Sequence, residues 1–291
     1  AYTSGVVDAS TVTSVSGLAP TVITIYASGG ISGLGDEAVT LSSNTSVSNA
    51  NSVSSTTSGI VTATISEGDM ATLANITETG NAYTVTITDT SVASDALNTL
   101  DGKTTVAVNG AAITTLTGAA SDVKASYDAG TAGTISGLGN EAVSVSGASS
   151  AASDLNAIDT ATSGVVTVAS TTITGSAADV KATYDANTEG TIAGLGNEAV
   201  SVSGTSSAAT DLNAIDTATS GVVTVASTTL TGLAADLNTS YAANDAGTIA
   251  GLGNEAVTLS DTTLAASVLN TLNGYTTGVV NAGTVTTLTG A

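Results

Sequence analysis

The 291-residue chain contains no cysteine, histidine, arginine, phenylalanine or tryptophan, and one proline (Pro20) and one methionine (Met70). Each absence removes a class of mechanism. Without cysteine there is neither a disulfide scaffold nor a thiolate metal site. Without histidine, and with Lys103, Lys124 and Lys181 as the sole side-chain cations, the common nucleophile–base and general acid–base pairs cannot be assembled. Carboxylate-only chemistry is left, and the chain is read as a non-enzyme. Three cations against 24 carboxylates give a formal net charge of −21, which excludes nucleic acid and anionic membranes as partners. Hard, oxygen-seeking cations are the natural counter-species, Ca²⁺ first among them. The aromatic side chains are seven tyrosines, so a core must be thin and aliphatic. No apolar run is long enough to insert in a membrane. The opening residues, AYTSGVVDAS, carry no basic n-region, so any export signal is expected to lie outside this chain.

What remains is hydrophobic enough to fold. Hydrophobic residues make up 42% and mean hydropathy is +0.36, which separates this Ser/Thr/Gly/Ala-rich chain from disordered sequences. It is also repetitive. ISGLGDEAV begins at Ile31, ISGLGNEAV at Ile135, and IAGLGNEAV at Ile192 and again at Ile249; the last three starts are spaced by 57 residues, and blocks 134–190 and 191–247 differ at 12 of 57 positions. A fixed period of this kind marks a repeat architecture.

Each block holds two half-units with one grammar, as in VSVSGASSAASDLNAIDTATSG (143–164) and VTVASTTITGSAADVKATYDAN (166–187). A β-branched alternating run leads to a turn of small residues and then to a short helix. YTVTITD (83–89) places Val85 and Ile87 on one face and Thr84, Thr86 and Thr88 on the other. Ser176 and Asp179 have capping-box spacing, and Val180 and Tyr184 share one helix face. LNTLDG (97–102) and LNTLNG (269–274) end in a glycine suited to a left-handed cap. Strand, short crossover and similar strand predict parallel pairing along a right-handed path.

The expected fold is therefore a β-rich repeat protein, a right-handed parallel β-solenoid with short helices or turns in each coil. Tandem small β-sandwich modules are the alternative. The division expected is a partial repeat at 1–30 continuing an array, irregular longer repeats at 31–133, full repeats at 134–190 and 191–247, and a partial repeat at 248–291, all in one continuous solenoid. AYTSGVVDASTVTSVSG (1–17) matches GYTTGVVNAGTVTTLTG (274–290). Neither stretch has the atypical character of a capping repeat, from which either a slice of a longer array or head-to-tail stacking of subunits is expected.

GLGNEA spells the G-x-G-x-x-A of a dinucleotide-binding turn, but a strand-like run follows it where that motif needs a helix, and no cation lies nearby. The glycines are read as a tight corner between strands. Beside them, Asp36/Glu37, Asn140/Glu141, Asn197/Glu198 and Asn254/Glu255 are the candidate metal ligands, with Ca²⁺ as the candidate cofactor. The competing reading is that they cap backbone donors or face solvent. The G-G-x-G-x-D nonapeptide of calcium β-rolls is absent. Asp122, Asp179 and Asp236 sit at expected helix starts, where they cap and offset the dipole. Tyr127, Tyr184 and Tyr241 also recur at 57, with Tyr26 ahead of the first glycine motif. They are read as packing against the next coil, with a sugar-binding ladder as the alternative. The threonine row at 84, 86 and 88 suits an ice-binding face or simply an exposed strand. Asn44, Asn75 and Asn238 lie in glycosylation sequons that chance explains in so Ser/Thr-rich a chain.

The segments GLGNEAVTLSDTTLAASVLNTLNGYTTGVVNAGTVTTLTGA and ITETGNAYTVTITDTSVASDALNTLDGKTTVAVNGAAITTLTGAASDV resemble the repeats of very large bacterial "beta strand repeat" cell-surface and adhesin-like proteins of marine cyanobacterial type. The resemblance covers nearly the whole chain. It implies an exported, non-enzymatic surface or matrix component at the bacterial cell surface, and assigns no binding residue. The expected function is an extracellular structural repeat protein forming a surface layer, fibre, filament or sheath, with copies of itself and cell-surface glycans as partners. An adhesin stalk or an ice- or glycan-binding surface module is the alternative.

Overall fold

A computed structural model describes residues 5–290. Residues 1–4, which open the stretch matched at 274–290, and residue 291 lie outside the described residues. The protein is an α/β structure of short parallel strands and ten helices among those residues: α1 (Ala19–Tyr26), α2 (Val47–Ser54), α3 (Met70–Leu73), α4 (Ser94–Asp101), α5 (Ala120–Ala132), α6 (Ala152–Ala161), α7 (Ala177–Glu189), α8 (Ala209–Ala218), α9 (Ala234–Ala246) and α10 (Ala266–Tyr275). None of these helices is long and apolar enough to cross a membrane. The chain forms two compact units, residues up to 117 with 125–141, and 118–124 with the residues from 142 onward.

The helices form where the small-residue turns end and an apolar stripe begins. α6 buries Ala152, Leu155 and Ile158, and α8 buries their counterparts Ala209, Leu212 and Ile215. Each set recurs every three residues, so it lies along one side of the helix. The expected cap on α7 is present: Ser176 Oγ accepts a hydrogen bond from the Asp179 amide at 3.1 Å. Asp122, Asp179 and Asp236 occupy the first turns of α5, α7 and α9. The glycine caps expected at Gly102 and Gly274 are not left-handed. Gly102 ends α4 with φ −67°, and Gly274 lies inside α10. The left-handed C-caps are instead Gly190 (φ +88°) and Gly247 (φ +84°), after the 13-residue helices α7 and α9, and Gly133, directly after the equally long α5, also has positive φ (+81°). A left-handed residue satisfies the last helical carbonyls and reverses the chain into the next strand.

In the first unit, Ser14–Gly17, Ala38–Leu41, Val61–Thr64 and Ala82–Thr84 form one parallel sheet in that order. The alternation read in YTVTITD holds: Tyr83, Val85 and Ile87 are buried, while Thr84, Thr86 and Thr88 are exposed.

In the second unit, Ala142–Val145, Val166–Val168 and Ile192–Ala193 are parallel neighbours. Ser149–Ala151, Thr172–Gly175, Ala199–Val202, Val223–Val225 and Ile249–Ala250 form a five-stranded sheet. Ser206–Ala208, Thr229–Gly232, Ala256–Leu259 and Val280–Asn281 form a four-stranded one. Parallel pairing is therefore present, and it is not the antiparallel pairing of tandem sandwich modules.

The stacking is staggered in a way that the period conceals. Ala199–Val202 begins a 57-residue repeat, as Ala142–Val145 begins the one before. It pairs with Thr172–Gly175, one strand position further along. A sheet ends at Ile192–Ala193 and a new one opens at Ser206–Ala208, once per repeat. The extra side is supplied by α7 together with the two-residue strand and glycine corner that follow it; α6 is followed by no such corner. The fold is correspondingly less β-rich than the sequence predicts, because every second crossover is a helix of more than three turns.

The core is the aliphatic stack between strands and helices, with Val143, Leu155, Val166, Ile173, Val200, Leu212 and Leu230 all buried. Leu212 has no exposed surface, and truncation removes methylenes that the narrow core cannot replace. Leu212→Ala is expected to cost about 2–5 kcal/mol, read as a lower urea midpoint than that of the parent protein.

Candidate functional site

The glycine corners are the most conspicuous polar features of the protein, because each buries a glutamate. Glu37 and Glu141 are 0% exposed, and Glu198 and Glu255 2%. Their partners Asp36, Asn140, Asn197 and Asn254 are exposed. The expected pair is therefore split, one member turned into the protein and one to solvent. A buried carboxylate needs donors, and the local sequence supplies them. The Gly35 amide donates to Glu37 Oε2 at 2.8 Å, and Gly139, Gly196 and Gly253 donate in the same way to Glu141, Glu198 and Glu255. The turn follows a two-residue strand and precedes a four-residue one, for example Ile192–Ala193 and Ala199–Val202. Gly194, at φ +94°, makes that turn possible, a conformation that side chains with a Cβ disfavour. The strand on the far side of the motif answers the nucleotide question: the glycines lead into a strand, where a dinucleotide-binding turn leads into a helix.

The second donor is the periodic tyrosine. Tyr26 donates its hydroxyl to Glu37 Oε2 at 2.8 Å, and Tyr127 and Tyr184 donate to Glu141 and Glu198 at 3.1 Å. Tyr241 donates to Glu255. The tyrosine ladder thus packs as expected, and each phenol also ties a helix to the corner that follows it. Desolvation, then the hydrogen bond to and the charge of Glu37, push the Tyr26 phenol up to about 12. Burial likewise raises the phenols of Tyr184 and Tyr241, beside Glu198 and Glu255. Desolvation is the largest single influence on Glu37 and would raise its carboxyl. The donors at Gly35, Glu37, Tyr26 and Asp36 together outweigh it and hold the group below its ordinary value.

The third element carries no signal that the glycine motif reveals. The backbone carbonyls of Glu37, Glu198 and Glu255 accept hydrogen bonds from the hydroxyls of Thr57, Thr219 and Thr276, and each of these oxygens in turn accepts from the amide of Gly59, Gly221 or Gly278 at 3.0 Å. A Cβ on any of these three glycines would collide with the glutamate carbonyl. The recurring T-[ST]-G triplet (57–59, 219–221, 276–278, and 162–164, where the Gly164 amide donates to Thr162 Oγ1 at 3.0 Å) is the sequence trace of this seam. A parallel one joins helices. Asn156 Nδ2 donates to the Asp179 carbonyl at 3.0 Å while its Oδ1 accepts from Thr183 at 2.7 Å, and Asn213 repeats both contacts with Asp236 and Ser240.

Among the described residues no three His, Cys, Asp or Glu side chains gather in one place. Compared with protein-family models, with curated proteins and with solved structures, the chain matches none of them.

Two outcomes follow. A phenol that stays protonated in the folded protein to about pH 12, but ionises near pH 10 when unfolded, contributes stability that is complete below pH 10 and lost as pH rises toward 12. The urea midpoint is expected to fall across that window, and Tyr26→Phe to flatten the fall. Gly221→Ala is expected to lower the midpoint more than Gly190→Ala, since no atom lies within 4 Å of a Cβ at Gly190 and its cost there is the left-handed conformation alone. Equal losses would show that the seam carries no special constraint.

Proposed function

We propose that this chain is a non-enzymatic structural repeat protein of the bacterial cell surface or matrix, a right-handed parallel β-solenoid that serves as a rod or layer element. The observation that carries this reading is the multiplication of its unusual polar groups. Glutamate, tyrosine and glycine amide recur together at four corners, and each set is consumed in joining chain segments. Catalytic sites ask for one group perturbed and aimed at a reacting atom; here the same group is repeated at four corners, each time bonded to a tyrosine and a glycine amide. Repeats of this kind add stability through contacts with their neighbours, so length can grow without a new core being designed.

Net charge of −21 keeps such a rod dispersed, and near-absence of lysine and arginine removes the sites of trypsin-like proteases. Copies of the chain are the proposed partners. Val165, Val222 and Val279 are exposed at one position of successive repeats, so two copies laid side by side present aliphatic rows of the same period. Surface location also agrees with the resemblance to bacterial surface repeats.

The test is to insert one further copy of residues 191–247 after residue 247 and measure solution scattering and electron images. Two more coils at the spacing of hydrogen-bonded strands lengthen the particle along one axis by about 10 Å, with the cross-section unchanged. Growth in all directions, or a separately melting extra domain, would overturn the solenoid.

A further inference from the structure

We propose that the corners at Asn197/Glu198 and Asn254/Glu255 are two equivalent binding sites for a hard divalent cation of the Ca²⁺ class, and that the earlier corners are not. Beside Glu198 lies a cavity of about 340 Å³ lined by Val168, Ser170, Thr171, Gly194, Asn197 and Glu198. Beside Glu255 lies one of about 240 Å³ lined by Val225, Ser227, Thr228, Gly251, Asn254 and Glu255. The two linings correspond residue for residue across the 57-residue period, and the side chains that differ from apolar in them are oxygen donors.

The chemistry of the lining selects the ligand. Each cavity holds a carboxylate that is 2% exposed, an exposed asparagine side chain and two hydroxyl residues. A buried carboxylate has about four lone-pair positions. Glu198 receives Tyr184 and Gly196 on Oε2; Glu255 receives Gly253 and Asn254 on Oε2 and Tyr241 on Oε1, so in both carboxylates Oε1 keeps a lone pair that these donors do not use. A main-chain carbonyl completes the set. The ladder between Val166–Val168 and Ile192–Ala193 stops at the corner because the Leu195 amide donates to Asn187 Oδ1 at 3.2 Å, and the Leu252 amide does the same to Asn244. The Val168 carbonyl oxygen then lies against Gly194, so close that a Cβ there would overlap it; Val225 and Gly251 repeat the approach. Carboxylate, amide oxygen, hydroxyls and carbonyl, with room for water, form the ligand set of a Ca²⁺ ion and offer nothing to a soft metal.

The earlier corners differ at this point. The glycine equivalent to Gly194 is Gly33 or Gly137, and a Cβ on it would meet the backbone nitrogen of Ser10 at 2.6 Å or of Ala111 at 2.7 Å. There the nearest backbone polar atom is an amide nitrogen already engaged with Asp8 or Asn109 Oδ1, in the place where the later corners offer the cation a carbonyl oxygen. Two sites per chain are therefore expected, not four. Affinity in the range of extracellular Ca²⁺ modules, about 10⁻⁴–10⁻³ M, suits one carboxylate per site.

Tb³⁺ reads the sites directly, because Tyr184 and Tyr241 donate to the two glutamates and can transfer excitation to a bound lanthanide. Titration of the intact chain with Tb³⁺, excited through tyrosine, is expected to saturate at two ions and to be reversed by Ca²⁺. Asn197→Ala and Asn254→Ala, both at exposed positions, are each expected to remove one ion while leaving the metal-free melting curve in place; Asn140→Ala is expected to leave the count at two. No saturable emission, or an unchanged count in the Asn197→Ala/Asn254→Ala double variant, would overturn the sites. Loss of an ion in Asn140→Ala would overturn the distinction between the early and late corners.

Discussion

The constraint on which the rest of the structure depends is the burial of one carboxylate per glycine corner. A glutamate removed from water is tolerable only where it accepts hydrogen bonds, and at each corner it accepts them from a glycine amide inside the turn and a phenol from the preceding helix. The side chain therefore fixes the shape of the turn and the position of the helix at once. Its own backbone carbonyl, held by the threonine of the T-[ST]-G triplet at Glu37, Glu198 and Glu255, fixes where the following segment crosses. One residue thus couples three pieces of chain that are 11–21 residues apart.

That coupling explains why so plain a composition gives a defined fold. With no phenylalanine or tryptophan, shape-specific aromatic packing is not available to select one arrangement from many, and Val, Ile and Leu side chains pack acceptably in several registers. Polar seams supply the selectivity. The Asn156 and Asn213 bridges between helices, and the buried Ser150–Ser170 and Ser207–Ser227 hydroxyl pairs at 2.6 Å, satisfy their partners in one register and would leave buried polar groups unmet in another. Specificity is carried by hydrogen bonds, and stability by the aliphatic stack.

The same seams account for the stagger of the sheets. After α6 the chain passes directly into the next strand, whereas after α7 it makes a left-handed cap, a two-residue strand and a glutamate corner before the next long strand. The second route inserts a side, so the strand that follows lands one position along, and each sheet is handed over to a new one every repeat. The residue count of the period is blind to this, since a period says that positions are equivalent and not which neighbour each one faces.

The sequence by itself determined the parallel strand grammar, the 57-residue equivalence, the helix starts at Asp122, Asp179 and Asp236, the corner role of GLG and the packing role of the tyrosines. These follow from local alternation, capping chemistry and backbone permissiveness, which act within a few residues. Tertiary structure decided that Gly190 and Gly247, not Gly102 and Gly274, reverse the chain. It also decided that the acidic member of each pair turns inward while its neighbour turns out, that Thr57, Thr219 and Thr276 grip the glutamate carbonyls, and that a carbonyl faces the late corners where an amide faces the early ones. All of these depend on which distant backbone group comes to lie opposite a given residue, and hydrogen-bond direction across a stack is set by register, which no stretch of the chain carries alone.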